Sequence, residues 1–270
     1  MVATTSGLVA GIAAAFLYLM GTIMQLRPLS RSTPIAVGRL AALAVPALLL
    51  HGLTTYLAIF TAQGIHLGLF TTFSLVTFVM AAFVLLASTR LPVHNLLVLV
   101  FPLSALGVIG ALGGESAFAP LDQLSAPLVF HILVSIVAYS VLFMAACQSV
   151  ILAVQEHYLR AKHGIALIRL IPPLETMETL LFSMLWTGFV ALSIAIASGF
   201  AFLDNMFAQQ VVHHTILSSL SWVMYVVLLA GRRLFGWRGV AAVRWTLIAF
   251  GLLVLGYFGS KFVLEILLQR

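Results

Sequence analysis

Long apolar runs separated by short polar stretches recur eight times along the chain. Each run holds about 20 residues or more, which at 1.5 Å per residue matches a bilayer core of roughly 30 Å. The pattern predicts helices over about 7–26, 40–60, 68–88 and 93–112, then over about 128–154, 179–201, 213–231 and 245–267. None of the runs alternates apolar and polar positions with period two, so they read as helices rather than as strands of a membrane barrel. Prolines punctuate the same segments. Pro28 and Pro34 follow the first run, Pro120 and Pro127 frame the fourth loop, and Pro172 with Pro173 interrupts the fifth. Pro46 and Pro102 fall inside the second and fourth helices, where each removes a backbone donor and favours a kink. No internal repeat and no soluble segment is visible, so residues 1–270 read as a single transmembrane domain.

Composition turns this pattern into a class. Only 7% of the residues are charged and 63% are hydrophobic, with a mean hydropathy of +1.18. Soluble domains carry about a quarter charged residues. A surface this poor in charge suits acyl chains, and the fold class is all-α integral membrane protein, in contact with the lipid bilayer.

The charges also set an orientation. The first, third, fifth and seventh loops hold Arg27, Arg31, Arg39, Arg90, Arg160, Lys162, Arg169, Arg232, Arg233, Arg238 and Arg244. The second, fourth and sixth hold no Lys or Arg and carry Glu115, Asp122 and Asp204. The positive-inside rule then places the odd loops in the cytoplasm and both termini outside, an N-out/C-out arrangement of eight transmembrane helices. A net charge of +6 built from such scattered residues reflects topology, and no nucleic-acid partner is expected. The first apolar run has no basic stretch before it and reads as a true helix rather than a cleaved signal. The single cysteine, Cys147, excludes an intramolecular disulfide and a CxxC metal site. A bacterial inner (plasma) membrane location is expected.

Polar residues at membrane depth are costly to bury, so they are the candidates for function. His51 lies near the middle of the second helix. His131 opens the fifth helix, and His213 with His214 opens the seventh at that same outer end. Imidazoles from facing helices are suitable axial ligands for haem iron. Phe130, Phe200, Phe202, Phe207 and Trp222 could wall a flat apolar macrocycle. The plain alternatives are interfacial histidines at helix ends and, for His51, a core histidine bonded to a hydroxyl or carbonyl. Ser135 and Tyr139 follow His131 at one and two helical turns and so share its face. Lys261 and Glu265 are spaced to pair, and Glu175 with Glu178 suits the start of the sixth helix dipole. A zinc or cobalt site would need several converging ligands, of which Asp204, His213 and His214 supply a poor version. Neither a nucleophile with its base nor a phosphate-binding loop is present, so no enzyme is expected.

Several segments resemble the cytochrome c assembly proteins, the CcsA/CcmC-type haem handlers, in their short YpjD/HemX-like branch. The resemblance rests on Ser221-Trp222-Val223-Met224-Tyr225, on Gly236-Trp237-Arg238-Gly239 and on Tyr257-Phe258-Gly259. It extends to Pro127 through His131 and Ser135 to Tyr139, and to His51 with Tyr56-Leu57-Ala58. By this resemblance His131 corresponds to the family's external haem-ligating histidine and His51 to its buried one, and haem b is the cofactor implied. The chain departs from the family in three places. The sixth loop, Gly199 to Val212, has no Trp where the family carries a Trp-rich haem-presenting loop. Residues 264–270 lack the second external His, and the second buried His is replaced near Gly231.

The function expected is therefore haem binding or handling in the inner membrane, with His131 as an iron ligand and His213 or His214 as its second, or alternatively with His51 as the iron ligand of a haem held within the membrane. Two other readings compete with it. One is a non-catalytic accessory subunit that binds a membrane protein partner and has lost haem delivery. The other is a metal-ion transport or tolerance factor, which the shortage of membrane-buried acids disfavours.

Overall fold

The computed structural model describes residues 5–31, 37–62, 64–113, 125–161, 172–202 and 212–267. Glu115, Asp122, Lys162, His163, Arg169, Asp204, Phe207 and Arg270 lie outside these, as does most of the sixth loop.

Eight helices among the described residues are long and apolar enough to cross a membrane. Their α-helical parts are α1 (Thr5–Arg31), α2 (Val37–Ile59), α3 (Leu69–Ala87), α4 (Leu97–Gly113), α5 (Ala126–Ala161), α6 (Leu174–Phe202), α7 (Val212–Phe235) and α8 (Val240–Val254), the fourth span starting at His94 and the eighth running on to Leu267. The chain is an all-α integral membrane protein. Large apolar side chains such as Phe16, Leu49 and Leu86 are 63%, 69% and 71% exposed, which only lipid can solvate at low cost. Hydroxyls inside the spans are satisfied locally. Thr22, Thr54, Ser140, Ser193 and Thr246 each donate to the carbonyl four residues back.

The elements outrun the expected spans in instructive places. A two-residue antiparallel ladder, β1 (Phe60–Thr61) with β2 (Gly64–Ile65), closes the turn between α2 and α3, with Gly64 at φ 121°. A 3-10 turn, His94–Leu96, leads into α4. Helix α5 continues to Ala161 because its polar end is helix-competent, with Glu156 and Arg160 paired one turn apart. The last span, Val240–Leu267, is α-helical to Val254 and then contains two wide π turns, Leu255–Gly259 and Val263–Leu267.

The chain divides into two compact units. In the first, α1 packs on α2 and α4, and α3 packs on α4. In the second, α5 packs along α6, α7 along α8, and α5 also meets α8.

Candidate functional site

The second unit carries a cleft lined by His131, Ser135 and Tyr139 from α5, Leu192, Ala195 and Phe200 from α6, and His214 and Ser218 from α7, among others. The placement follows from chain order. His131 lies in the second turn of α5 and His214 in the first turn of α7, while Ser198 sits in the last turns of the antiparallel α6. Three helix ends thus meet at one level. The face His131–Ser135–Tyr139 expected from a 3.6-residue period is the face that lines the cleft.

The two histidines are held differently. His131 Nδ1 lies 3.0 Å from the Ser198 Oγ. His214 Nδ1 is 3.5 Å from the Ser218 Oγ, at the outer limit of a hydrogen bond, and its ring meets the Tyr257 edge at 5.6 Å between centroids. The last span is fastened to both. The Tyr139 hydroxyl donates to the Leu253 carbonyl at 3.0 Å, just before the first π turn. At Gly256 the backbones come so close that a Cβ would lie 3.2 Å from the Leu217 Cβ and 3.5 Å from the His214 carbonyl oxygen. Lys261 bonds Glu265 at 3.4 Å, as its spacing predicts, and lies over the Tyr257 ring.

His213 does not line the cleft and is exposed. Consecutive helical residues point about 100° apart, so only one of the pair can face inward. Of the aromatics expected to wall a macrocycle, Phe200 lines the cleft. Phe130 and Phe202 do not line it, and all three are exposed. Trp222 stacks on Phe189 and donates its indole N–H to Ser193 at 2.8 Å. Among the described residues no three His, Cys, Asp or Glu side chains converge on a common point. The donor set of the cleft is two imidazoles beside several hydroxyls in a mostly apolar wall, which fits an iron porphyrin.

His51 belongs to the first unit and is completely buried. Its Nε2 is 3.1 Å from both the Ser74 carbonyl and the Ser74 Oγ, and its Nδ1 is 3.2 Å from the Tyr18 hydroxyl. A carbonyl only accepts, so Nε2 carries the proton and Nδ1 accepts from Tyr18. Thr55 bonds Ser74 Oγ at 2.8 Å, and Ser104 donates to the Thr77 carbonyl at 3.3 Å. Neither nitrogen of His51 has a free lone pair in this arrangement.

One further cluster was not foreseen. Glu178, expected only to favour the α6 dipole, is buried at the opposite end of α6 from Ser198. Its carboxylate accepts from Arg238 Nε at 2.8 Å and from the Gly239 backbone N–H at 2.9 Å. The turn between α7 and α8 is built around glycines: Gly236 and Gly239 adopt φ of 66° and 53°, where L-residues are strained. Trp237 folds back over Gly231, where any side chain would clash with its ring, and stacks on Trp245 at 5.3 Å.

The chain belongs to the cytochrome c assembly protein family, whose model matches residues 40–268. It is 26% identical over 205 residues to the inner membrane protein YpjD of Escherichia coli, covering 76% of this chain and 78% of that one. It is also 35% identical over 159 residues to an uncharacterized 28.8 kDa protein of Azospirillum brasilense, covering 57% and 59% of the two chains. No solved structure matches it significantly. The eight spans and this kinship make it a multi-pass inner-membrane protein.

Proposed function

We propose that this protein binds and handles haem b in the inner membrane, at the cleft between α5, α6 and α7. Family membership supports a haem-handling role at the coarse level. The observation that carries the finer reading is the convergence of His131 and His214, from separate helices, on one largely apolar cleft. His131 and His214 would hold the iron through their ring nitrogens. Haem, when bound, would supply an iron centre that accepts imidazole donors. The rest belongs to the chain. Leu192, Ala195 and Phe200 give a dry wall, and Tyr139 and Gly256 hold the last span against both histidine helices. With the termini outside, as the loop charges suggest, the cleft faces the non-cytoplasmic side. No catalytic step is assigned to the protein itself, in keeping with a role of binding and orienting a cofactor.

Titrating haemin into the purified full-length protein tests this. A Soret band is expected in the wild type, lost in His131→Ala and shifted toward a five-coordinate spectrum in His214→Ala. His213→Ala is expected to behave as wild type. Protein that takes up no haemin, or haem spectra indifferent to both His131→Ala and His214→Ala, would rule the reading out.

The engaged state of His51 favours a second role for the first unit. There the imidazole joins α1, α2 and α3 through Tyr18 and Ser74, as a scaffold would require. An accessory surface for a membrane partner is compatible with that role and predicts a stable partner on gentle solubilisation.

A further inference from the structure

We infer that Ser198 is a positioning residue that fixes the tautomer of His131 and thereby makes Nε2 its ligating atom. This rests on the haem reading above only for the identity of what Nε2 binds. The tautomer itself follows from two distances.

A serine hydroxyl has one proton. The Ser198 Oγ lies 2.8 Å from the Ala195 carbonyl oxygen, which can only accept, so the proton points there. Only lone pairs then remain on Oγ to meet His131 Nδ1, 3.0 Å away. That nitrogen must donate. A neutral imidazole has a single N–H, so with Nδ1 protonated the in-plane lone pair resides on Nε2. His51 shows the reverse arrangement, with its Nε2 proton directed at Ser74. The same side chain is therefore set in opposite tautomers by its neighbours in the two units.

The relay has a chemical consequence. A carbonyl that orients a hydroxyl, which in turn accepts from Nδ1–H, draws that proton outward and makes Nε2 a stronger donor. Stronger imidazole donation favours ferric over ferrous iron. His214 is held differently, with its Nδ1 3.5 Å from the Ser218 Oγ and a bond to the Gly256 backbone. The two imidazoles thus have unlike partners, and the serine relay belongs to His131.

The experiment uses full-length protein labelled with 15N-histidine in detergent, first without haem. The His131 signal is identified by its disappearance in His131→Ala. The Nδ1–H form is expected in the wild type and in Ser198→Thr, which keeps the hydroxyl. Ser198→Ala is expected to give a mixture of tautomers. After haemin loading, Ser198→Ala should lose about tenfold more ferric than ferrous affinity, a rise in potential of about 59 mV. Ser198→Thr should restore the wild-type value. A wild-type His131 protonated on Nε2 overturns the inference, as does a Ser198→Ala protein whose tautomer is unchanged. Protein with the expected tautomer that refuses haemin sinks the haem reading and leaves the assignment of Ser198 to the tautomer standing.

Discussion

Replacing Glu178 by Ala removes the acceptor for both Arg238 Nε and the Gly239 N–H. The two bonds differ in value. The Glu178 side chain is 5% exposed and that of Arg238 is 55% exposed. The ion pair is therefore half-solvated, and screening limits it to about 0.2–1 kcal/mol. The bond to Gly239 joins a buried carboxylate to the first free N–H of α8, where the helix dipole adds to it. A charge-assisted bond of that kind contributes about 1.5–3 kcal/mol. Glu178→Ala is thus expected to cost about 2–4 kcal/mol. Arg238→Ala leaves a buried carboxylate with one donor and is expected to cost about 1–2 kcal/mol. Because both changes act on one carboxylate, the double variant should cost less than the sum, with a coupling of about 0.5–1 kcal/mol. Reversible unfolding in mixed detergent–SDS micelles measures all three. Strictly additive costs, or a Glu178→Ala protein as stable as wild type, would refute the assignment of Glu178 as the anchor of the α7–α8 turn.

Other substitutions separate scaffold from site. His51→Leu should leave the haem spectrum unchanged while destabilising the protein, and its coupling to Tyr18→Phe should be about 0.6 kcal/mol and no more than about 1.7, as for hydrogen bonds between membrane helices. Loss of the Soret band in His51→Leu would instead make it a ligand. At Gly107 a Cβ would press on the Thr77 hydroxyl and lie 3.2 Å from the Ser74 Cα, so Gly107→Ala should cost about 1–3 kcal/mol by forcing α3 and α4 apart; an unchanged unfolding midpoint would show that the helices can yield. A cysteine placed at the C-terminus of a Cys147→Ala protein should react with impermeant maleimide in intact spheroplasts, and protection there would reverse the orientation drawn from the loop charges.

What was readable beforehand divides along the length scale of the interactions. The eight spans follow from local hydropathy, and the His131–Ser135–Tyr139 face follows from helical period, so both are visible in a single segment. Placing His214 beside His131 needed only that α5 and α7 begin at the same level. Ser198 was not legible, because nothing distinguishes it from the other serines of α6 until the fold brings it to His131, 67 residues away in sequence. Glu178 had the same disguise. An acid early in a helix is sufficiently explained by the dipole, and only the folded turn shows that it holds Gly239. His51 was legible as a special residue through its depth, and bonding to a hydroxyl or carbonyl was one of its expected states; that Tyr18 of α1 and Ser74 of α3 are the partners was not legible. The end of α5 and the start of the last span were missed because hydropathy marks where a helix leaves lipid, not where it stops.

The wide turn at Leu255–Gly259 has an arithmetic consequence for how this family can vary. A π turn takes up about one residue more than an α-helix over nearly the same angle and rise. Deleting a single residue there would let the span revert to regular α-helix with the segments on either side still in phase. Tyr257 lies inside the turn, against His214, and Lys261 and Glu265 lie beyond it. The turn is thus a buffer for chain length: a chain can gain or lose one residue between Leu253 and Lys261 and still present the same face of its last helix.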